Sequence, residues 1–292
     1  MKANLQQPAA PPAPPGSTRI AVSSWSLRPG TPQQLLNRLL TLDIQAVQLA
    51  LSPMVSDPET WGEAVQELRA GGVWVASGMM AMAGEDYSTL ESIARTGGVR
   101  PDQTWFANRA HAEQVARLAC TSGIGLVTFH GGFIPEDRAS PLRAKMFERL
   151  KSIAETFGHY GVALALETGQ ESAQTLNRAL DDLACPNIGV NFDPANMILY
   201  GMGDPVDALA ILAMRVRQIH IKDAVPSAKP GVWGREVPVG QGQVDWDRFF
   251  EIALMLNPPV QFVIEREARS AADADLLAAK NLIARHLQPT KP

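Results

Sequence analysis

Glu167, Asp193, His220 and Glu265 are the residues of this chain whose types and spacing can do chemistry together. Each sits at or near the end of a short apolar run. Glu167 follows Val-Ala-Leu-Ala-Leu, Asp193 follows Ile-Gly-Val-Asn-Phe, His220 lies in Gln-Ile-His-Ile-Lys-Asp, and Glu265 follows Phe-Val-Ile. They are 26, 27 and 45 residues apart in turn. The first two intervals match one strand–helix unit each, and the third matches one unit plus a long loop. Taken singly, each would read as an ordinary strand-end residue in water or in an ion pair. Brought to one point, three carboxylates repel one another, and burying them unpaired is costly. A divalent ion held by three oxygens and one nitrogen resolves the conflict; Mn²⁺, Co²⁺, Mg²⁺ and Zn²⁺ all accept such a set.

Other residues fall near these four. His130 ends a strand-like run in Thr-Phe-His-Gly-Gly and is a ligand, a substrate contact, a group behind a ligand, or a merely hydrogen-bonded polar residue. Lys222 shares strand parity with His220; it either polarises a substrate carbonyl or enediolate, or pairs with Asp223 or another carboxylate. Arg235 lies in a Gly-rich loop and either clamps a substrate oxygen or stands in solvent. Trp25 is a pocket wall or a core residue, and Asn196, three residues after Asp193, is a further candidate substrate contact. His111, His159 and His286 fall in helical stretches and read as structural or surface groups.

Elements that could carry these side chains to one place are visible from Arg19 onward. Apolar runs at 20–25, 46–51, 73–77, 126–130, 162–167, 188–193, 218–222 and 261–265 read as eight strands, several continuous enough to be buried on both faces. Thr31-Pro32, Asp57-Pro58, Ser140-Pro141 and Asp204-Pro205 place a capping side chain before a proline at the first helical position. Helical patterns cover 32–42, 105–121, 141–160, 172–183, 245–256 and 271–287. Gly71-Gly72, Gly123 and Gly161 end helices just before strands. Eight such units predict the α/β class and a (β/α)8 TIM barrel, whose active site lies where the strands end. The rival, a doubly wound sheet, lacks a Gly-x-Gly-x-x-Gly turn, and Gly240-Gln241-Gly242 is too short to supply one. Long segments at 79–104 and 224–244 would build the catalytic rim.

Composition narrows the rest. The chain has 292 residues, 46% of them hydrophobic, and a formal net charge of -4. This excludes a disordered chain and disfavours nucleic acid as the main partner. No apolar run approaches the ~18 residues of a membrane span. Two cysteines, Cys120 and Cys185, form neither a disulfide framework nor a zinc knuckle, and fit a reducing, cytoplasmic setting. Residues 1–18, with five prolines among the first 16, read as a mobile tail without the apolar core of a signal peptide. Residues 19–292 read as one barrel domain, and a homo-oligomer remains open.

The motifs Leu-Ala-Leu-Glu-Thr at 164–168, Asn-Phe-Asp-Pro-Ala-Asn at 191–196, His-Ile-Lys-Asp at 220–223, the 234–242 segment and Val-Ile-Glu-Arg-Glu at 263–267 resemble the xylose isomerase-like TIM-barrel superfamily, in particular its sugar phosphate isomerase/epimerase group. The resemblance spans residues 19–287. It implies one divalent metal held by Glu167, Asp193, His220 and Glu265, with the two glutamates doubling as acid/base groups. It also implies a small polyhydroxy carbonyl substrate, isomerised or epimerised through an enediolate. Dehydration of an inosose-like keto-polyol is the alternative within the superfamily. An endonuclease IV-like repair enzyme fits poorly, because its zinc cluster needs more histidines than the five here. The chain departs from the pattern at Gln48, where many relatives carry glutamate, and at Asn196, where similar ketose 3-epimerases carry histidine.

Overall fold

The structure, a computed structural model, describes residues 19–229, 231–268 and 273–288. The tail reading of residues 1–18 lies outside the described residues, as does the start of the helix expected from 271. Among the described residues ten strands run in chain order: β1 (Ile20–Ser23), β2 (Ala46–Ala50), β3 (Trp74–Met79), β4 (Leu126–Phe129), β5 (Ala163–Glu167), β6 (Ile188–Phe192), β7 (Val216–Ile221), β8 (Asp223–Val225), β9 (Arg235–Val237) and β10 (Gln261–Ile264). Eight of them close a parallel barrel in the order β1-β10-β7-β6-β5-β4-β3-β2, with helices in between. The (β/α)8 barrel expected from the sequence is the fold. No helix among the described residues is long and apolar enough to cross a membrane.

Local chemistry sets the helix starts. Thr31, Asp57, Ser140 and Asp204 each accept a backbone N–H of the first turn, and each is followed by proline. Helix ends differ from the expected bounds by a few residues: Asp102–Thr121 starts three residues early, and Trp246–Ala253 stops three early. The strands mostly end one residue short of expectation, so His130, Asp193, Lys222 and Glu265 stand just past the ladder. β1 stops sooner. Trp25 lies not at a strand end but in a helical turn, Ser24–Leu27. Three serines explain the change. Ser23 and Ser26 bond each other at 2.6 Å, Ser24 Oγ accepts Ala50 N–H, and Ser26 Oγ accepts Arg266 N–H, so hydroxyls replace the ladder there.

The two long segments are also structured. The first carries the helix Leu90–Thr96, held by a Thr89/Ser92 capping box. The second folds into the antiparallel β8–β9 hairpin. Asp223 organises the chain on both sides of that hairpin's second strand. Its carboxylate accepts N–H groups from Ala224, Gly240, Gly242 and Val244, and the Trp246 indole N–H at 3.1 Å. A Cβ at Gly242 would lie 2.0 Å from Asp223 Oδ1. The Gly-Gln-Gly motif therefore wraps a buried carboxylate. Gly242→Ala should lower stability by about 1–3 kcal/mol, the usual cost of overfilling a packed site. Urea unfolding followed by tryptophan fluorescence measures this, and an unchanged midpoint would show that the loop closes equally well without the glycine.

Inside the barrel, beneath the strand ends, lies a layer of fully buried polar side chains. Ser77 donates to Gln218 Oε1 at 2.5 Å, Gln218 donates to Asn191 Oδ1 at 3.0 Å, and Gln48 donates to Thr128 Oγ1 at 2.8 Å. Each satisfies a group that would otherwise be costly to bury.

Candidate metal centre

The four residues singled out by sequence meet above this layer. Glu167 ends β5, Asp193 follows β6, His220 is in β7 and Glu265 follows β10. Each offers one atom to a cluster in which all lie within 4.8 Å of one another. All four side chains are buried. His220 Nδ1 is 3.3 Å from Glu265 Oε2, 3.6 Å from Glu167 Oε1 and 3.6 Å from Asp193 Oδ2.

The polar layer fixes the imidazole. Its Nε2 lies 2.8 Å from Gln48 Oε1, which can only accept, so Nε2 carries a hydrogen. Asn191 Nδ2 lies 3.1 Å from the same nitrogen and donates one of its two hydrogens to Glu167 Oε2. In the neutral ring, Nδ1 then keeps its lone pair toward the carboxylates. This is the tautomer a metal requires, and the supporting bond to Gln48 is the kind that orients a ligating histidine. His220 Nδ1 and Asp193 Oδ2 are both buried with no hydrogen-bond partner. Two orphaned atoms of complementary chemistry, flanked by two more carboxylates, fit a divalent cation.

Charge in the cluster is tightly coupled. Burial would raise the Glu265 carboxyl, yet Lys222 and His220 pull it down to about 2. Burial likewise opposes ionisation of Glu167 and Asp193, but His130 and His220 hold the first below its usual range and Lys222 the second. Burial disfavours the His220 cation, and the facing Glu265 and Glu167 outweigh it, raising its pKa well above that of a free imidazole. Without an ion His220 therefore favours its protonated form, and a divalent ion bound at Nδ1 would have to displace that proton. Binding of Mn²⁺ should release about one proton per chain, and affinity should rise roughly tenfold per pH unit through the neutral range. Calorimetry in buffers of different ionisation enthalpy checks this; zero release would mean that no proton is displaced from His220.

A cavity of about 470 Å³ opens beside the cluster. Glu167 and Glu265 line it, with Trp25, His130 and Asn196. Trp25 Nε1 donates to Glu265 Oε1 at 2.7 Å, and Asn196 Nδ2 donates to Glu167 Oε1 at 3.0 Å. His130 Nε2 is 4.0 Å from Glu167 Oε2. Lys222 is buried beneath, against Glu265, Glu267, Asp193 and Asn196, and does not pair with Asp223. Arg235 stands apart: it is exposed at the start of β9 and is not among the side chains lining the cavity.

Tyr87, Tyr200 and Trp233 form an aromatic wall that sequence reading did not single out, with the Tyr200 and Trp233 ring centroids 4.6 Å apart. Glu85 and Glu267 also line the cavity. Glu267 had a signal: it repeats Glu265 at strand parity in Val-Ile-Glu-Arg-Glu. Tyr87 and Trp233 sit in the long loops, where no periodicity points to a facing side. Arg266, between the two glutamates, turns away and pins the hairpin through Glu236 at 2.8 Å.

Comparison with known proteins agrees with the fold. A xylose isomerase domain protein from Planctomyces limnophilus is 31% identical, with a TM-score of 0.79 over 91% of this chain and 95% of that one. D-psicose 3-epimerase from Clostridium cellulolyticum H10 shares the fold at 13% identity and a TM-score of 0.69, over 92% and 99% of the two chains. The probable 3-DHS dehydratase AsbF from Bacillus anthracis shares it at 15% and 0.68, with the same coverage. The uncharacterized protein YihM of Escherichia coli (strain K12) is 24% identical over 144 residues, 49% of this chain and 43% of that protein. Residues 38–286 match the family described as xylose isomerase-like TIM barrel. With most of the barrel inside that match, the chain belongs to the xylose isomerase-like TIM-barrel family.

Proposed function

We propose that this protein is a divalent-metal-dependent isomerase or epimerase of a small sugar, keto-polyol or sugar phosphate, acting by proton transfer through an enediolate. One observation carries the reading: the Glu167 and Glu265 carboxylates, on strand ends separated by β6 and β7, line one cavity and face one point. A divalent ion held by Glu167, Asp193, His220 and Glu265 would supply Lewis acidity, making a C–H beside a carbonyl easier to ionise.

The chain's own residues do the rest. Both glutamates are ionised in the resting site, because His130, His220 and Lys222 outweigh burial. Either can accept a proton from carbon and then becomes an acid. Moving that proton to the neighbouring carbon needs one carboxylate, with the hydroxyl proton passing to the former carbonyl oxygen at the same stage. Returning it to the opposite face of the same carbon needs two, and the second must first take a proton from water. Asn196 and Trp25 keep the two carboxylates in place through their hydrogen bonds. The aromatic wall suits the apolar faces of a polyol.

Protein loaded with Mn²⁺ or Mg²⁺, incubated with aldoses, ketoses, inososes and their phosphates, tests the proposal by NMR of the products. Interconversion at constant composition supports it. Loss of water with enone absorbance would assign the dehydratase chemistry instead. Inertness of the loaded protein toward every class would remove the sugar reading.

A further inference from the structure

The Lys222 side chain, expected from the sequence as a substrate contact, is buried and is not among the side chains lining the cavity. Its ammonium lies 2.9 Å from Glu265 Oε2, 3.5 Å from Asp193 Oδ2, 2.5 Å from Glu267 Oε2 and 3.3 Å from Asn196 Oδ1. Two of these oxygens, Glu265 Oε2 and Asp193 Oδ2, are the ones that also face His220 Nδ1. They therefore stand between two positive positions: one beside the imidazole, where the metal would sit, and one taken by the ammonium. Asp193 Oδ2 is fully buried and has no hydrogen-bond partner, so its pairing with Lys222 is purely electrostatic. Carboxylate oxygens shared between two cations are the arrangement of a two-metal centre.

We propose that the Lys222 ammonium is a built-in second cation, which makes this a one-metal centre and keeps a second divalent ion out. The inference rests on the metal reading above. Without the ammonium, Asp193, Glu265, Glu267 and Asn196 would present four oxygens around one point. Such a hard set suits Mn²⁺ or Mg²⁺. The charge that Lys222 provides is fixed to the chain, so it stays in place whatever the metal supply, and the neighbouring ion can exchange without unbalancing the carboxylates.

The test counts Mn²⁺ by equilibrium dialysis and by electron paramagnetic resonance. Wild type should bind one equivalent with an isolated Mn²⁺ spectrum. Lys222→Ala should bind two, with the broadened signal of a coupled pair, and Lys222→Arg should return to one. Because Lys222→Ala leaves buried carboxylates uncompensated, its melting temperature should rise on the second equivalent of Mn²⁺, a step that wild type lacks. Lys222→Ser, measured alongside, should behave like the alanine variant.

The outcomes separate the two ideas. No Mn²⁺ binding by wild type would overturn the metal reading and this inference with it. One equivalent in wild type and still one in both small variants would overturn this inference alone, and so would two equivalents in wild type. Failure of both small variants to fold even in millimolar Mn²⁺ would count against it too, since the ion should replace the missing charge.

Discussion

His220→Ala should weaken binding of a divalent ion by about 100-fold or more, while Gln48→Leu, which removes only the support behind the imidazole, should cost about 10- to 100-fold. The ranking comes from the geometry. His220 supplies the cluster's one nitrogen, and its Nδ1 faces three carboxylates. Gln48 touches the ring only at Nε2, at 2.8 Å. Removing the imidazole leaves the carboxylates with Lys222 as the close cation, so the variant should also be less stable when metal-free. Competition against a fluorescent chelator gives both affinities, and circular dichroism confirms that the variants are folded. Unchanged affinity in His220→Ala would take the histidine out of the centre. Equal losses in the two variants would mean that the polar layer, not the ligand, sets the affinity.

During turnover in D2O, the correct substrate should gain deuterium at the reacting carbon, and Glu167→Gln should lose that exchange along with about 10²–10⁴ of the rate. A carboxyl that has taken a proton from carbon can trade it with water before giving it back. Glu167 borders a cavity large enough to admit water, and the second carboxyl has to draw its proton from solvent if the reaction is an epimerisation. A hydride shift between carbons would instead retain the original hydrogen and would call on two metal ions. Complete retention alone could reflect a shielded base, so it is paired with a metal count. Two ions per chain with no exchange would establish the hydride route and overturn the enediolate.

Much of this molecule is legible in its sequence. Continuous apolar runs betray strands buried on both faces, and four capping residue–proline pairs mark helix starts because each solves a local hydrogen-bonding problem. The Glu167, Asp193, His220 and Glu265 cluster is legible only as a set: each alone reads as a strand-end ion pair, and it is the recurrence of such residues at the ends of apolar runs, at unit spacing, that brings them to one point. The features that escape depend on tertiary company. Trp25 reads as strand because nothing local shows that the serines on either side will bond to β2 and to the residues just after β10. Arg235 has the chemistry of a substrate clamp, but the β8–β9 hairpin presents it to solvent. The buried amides Gln48, Asn191 and Gln218 look like poor strand residues until the barrel closes and gives them buried partners.

That closed layer has a consequence for how such barrels can be recombined. The candidate ligands stand in or just after β5, β6, β7 and β10, so the half containing β2, β3 and β4 looks like interchangeable scaffold. Yet Gln48 in β2 holds the imidazole, Thr128 in β4 receives Gln48, and Ser77 in β3 anchors Gln218. A half-barrel with glutamate in place of Gln48 would bring a fourth acid to the imidazole, on its far side, and alter its basicity even with Glu167, Asp193 and Glu265 retained. Chimeras of this architecture should therefore be cut so that these three side chains travel with the ligand-bearing half. The silent strands carry part of the centre's inheritance.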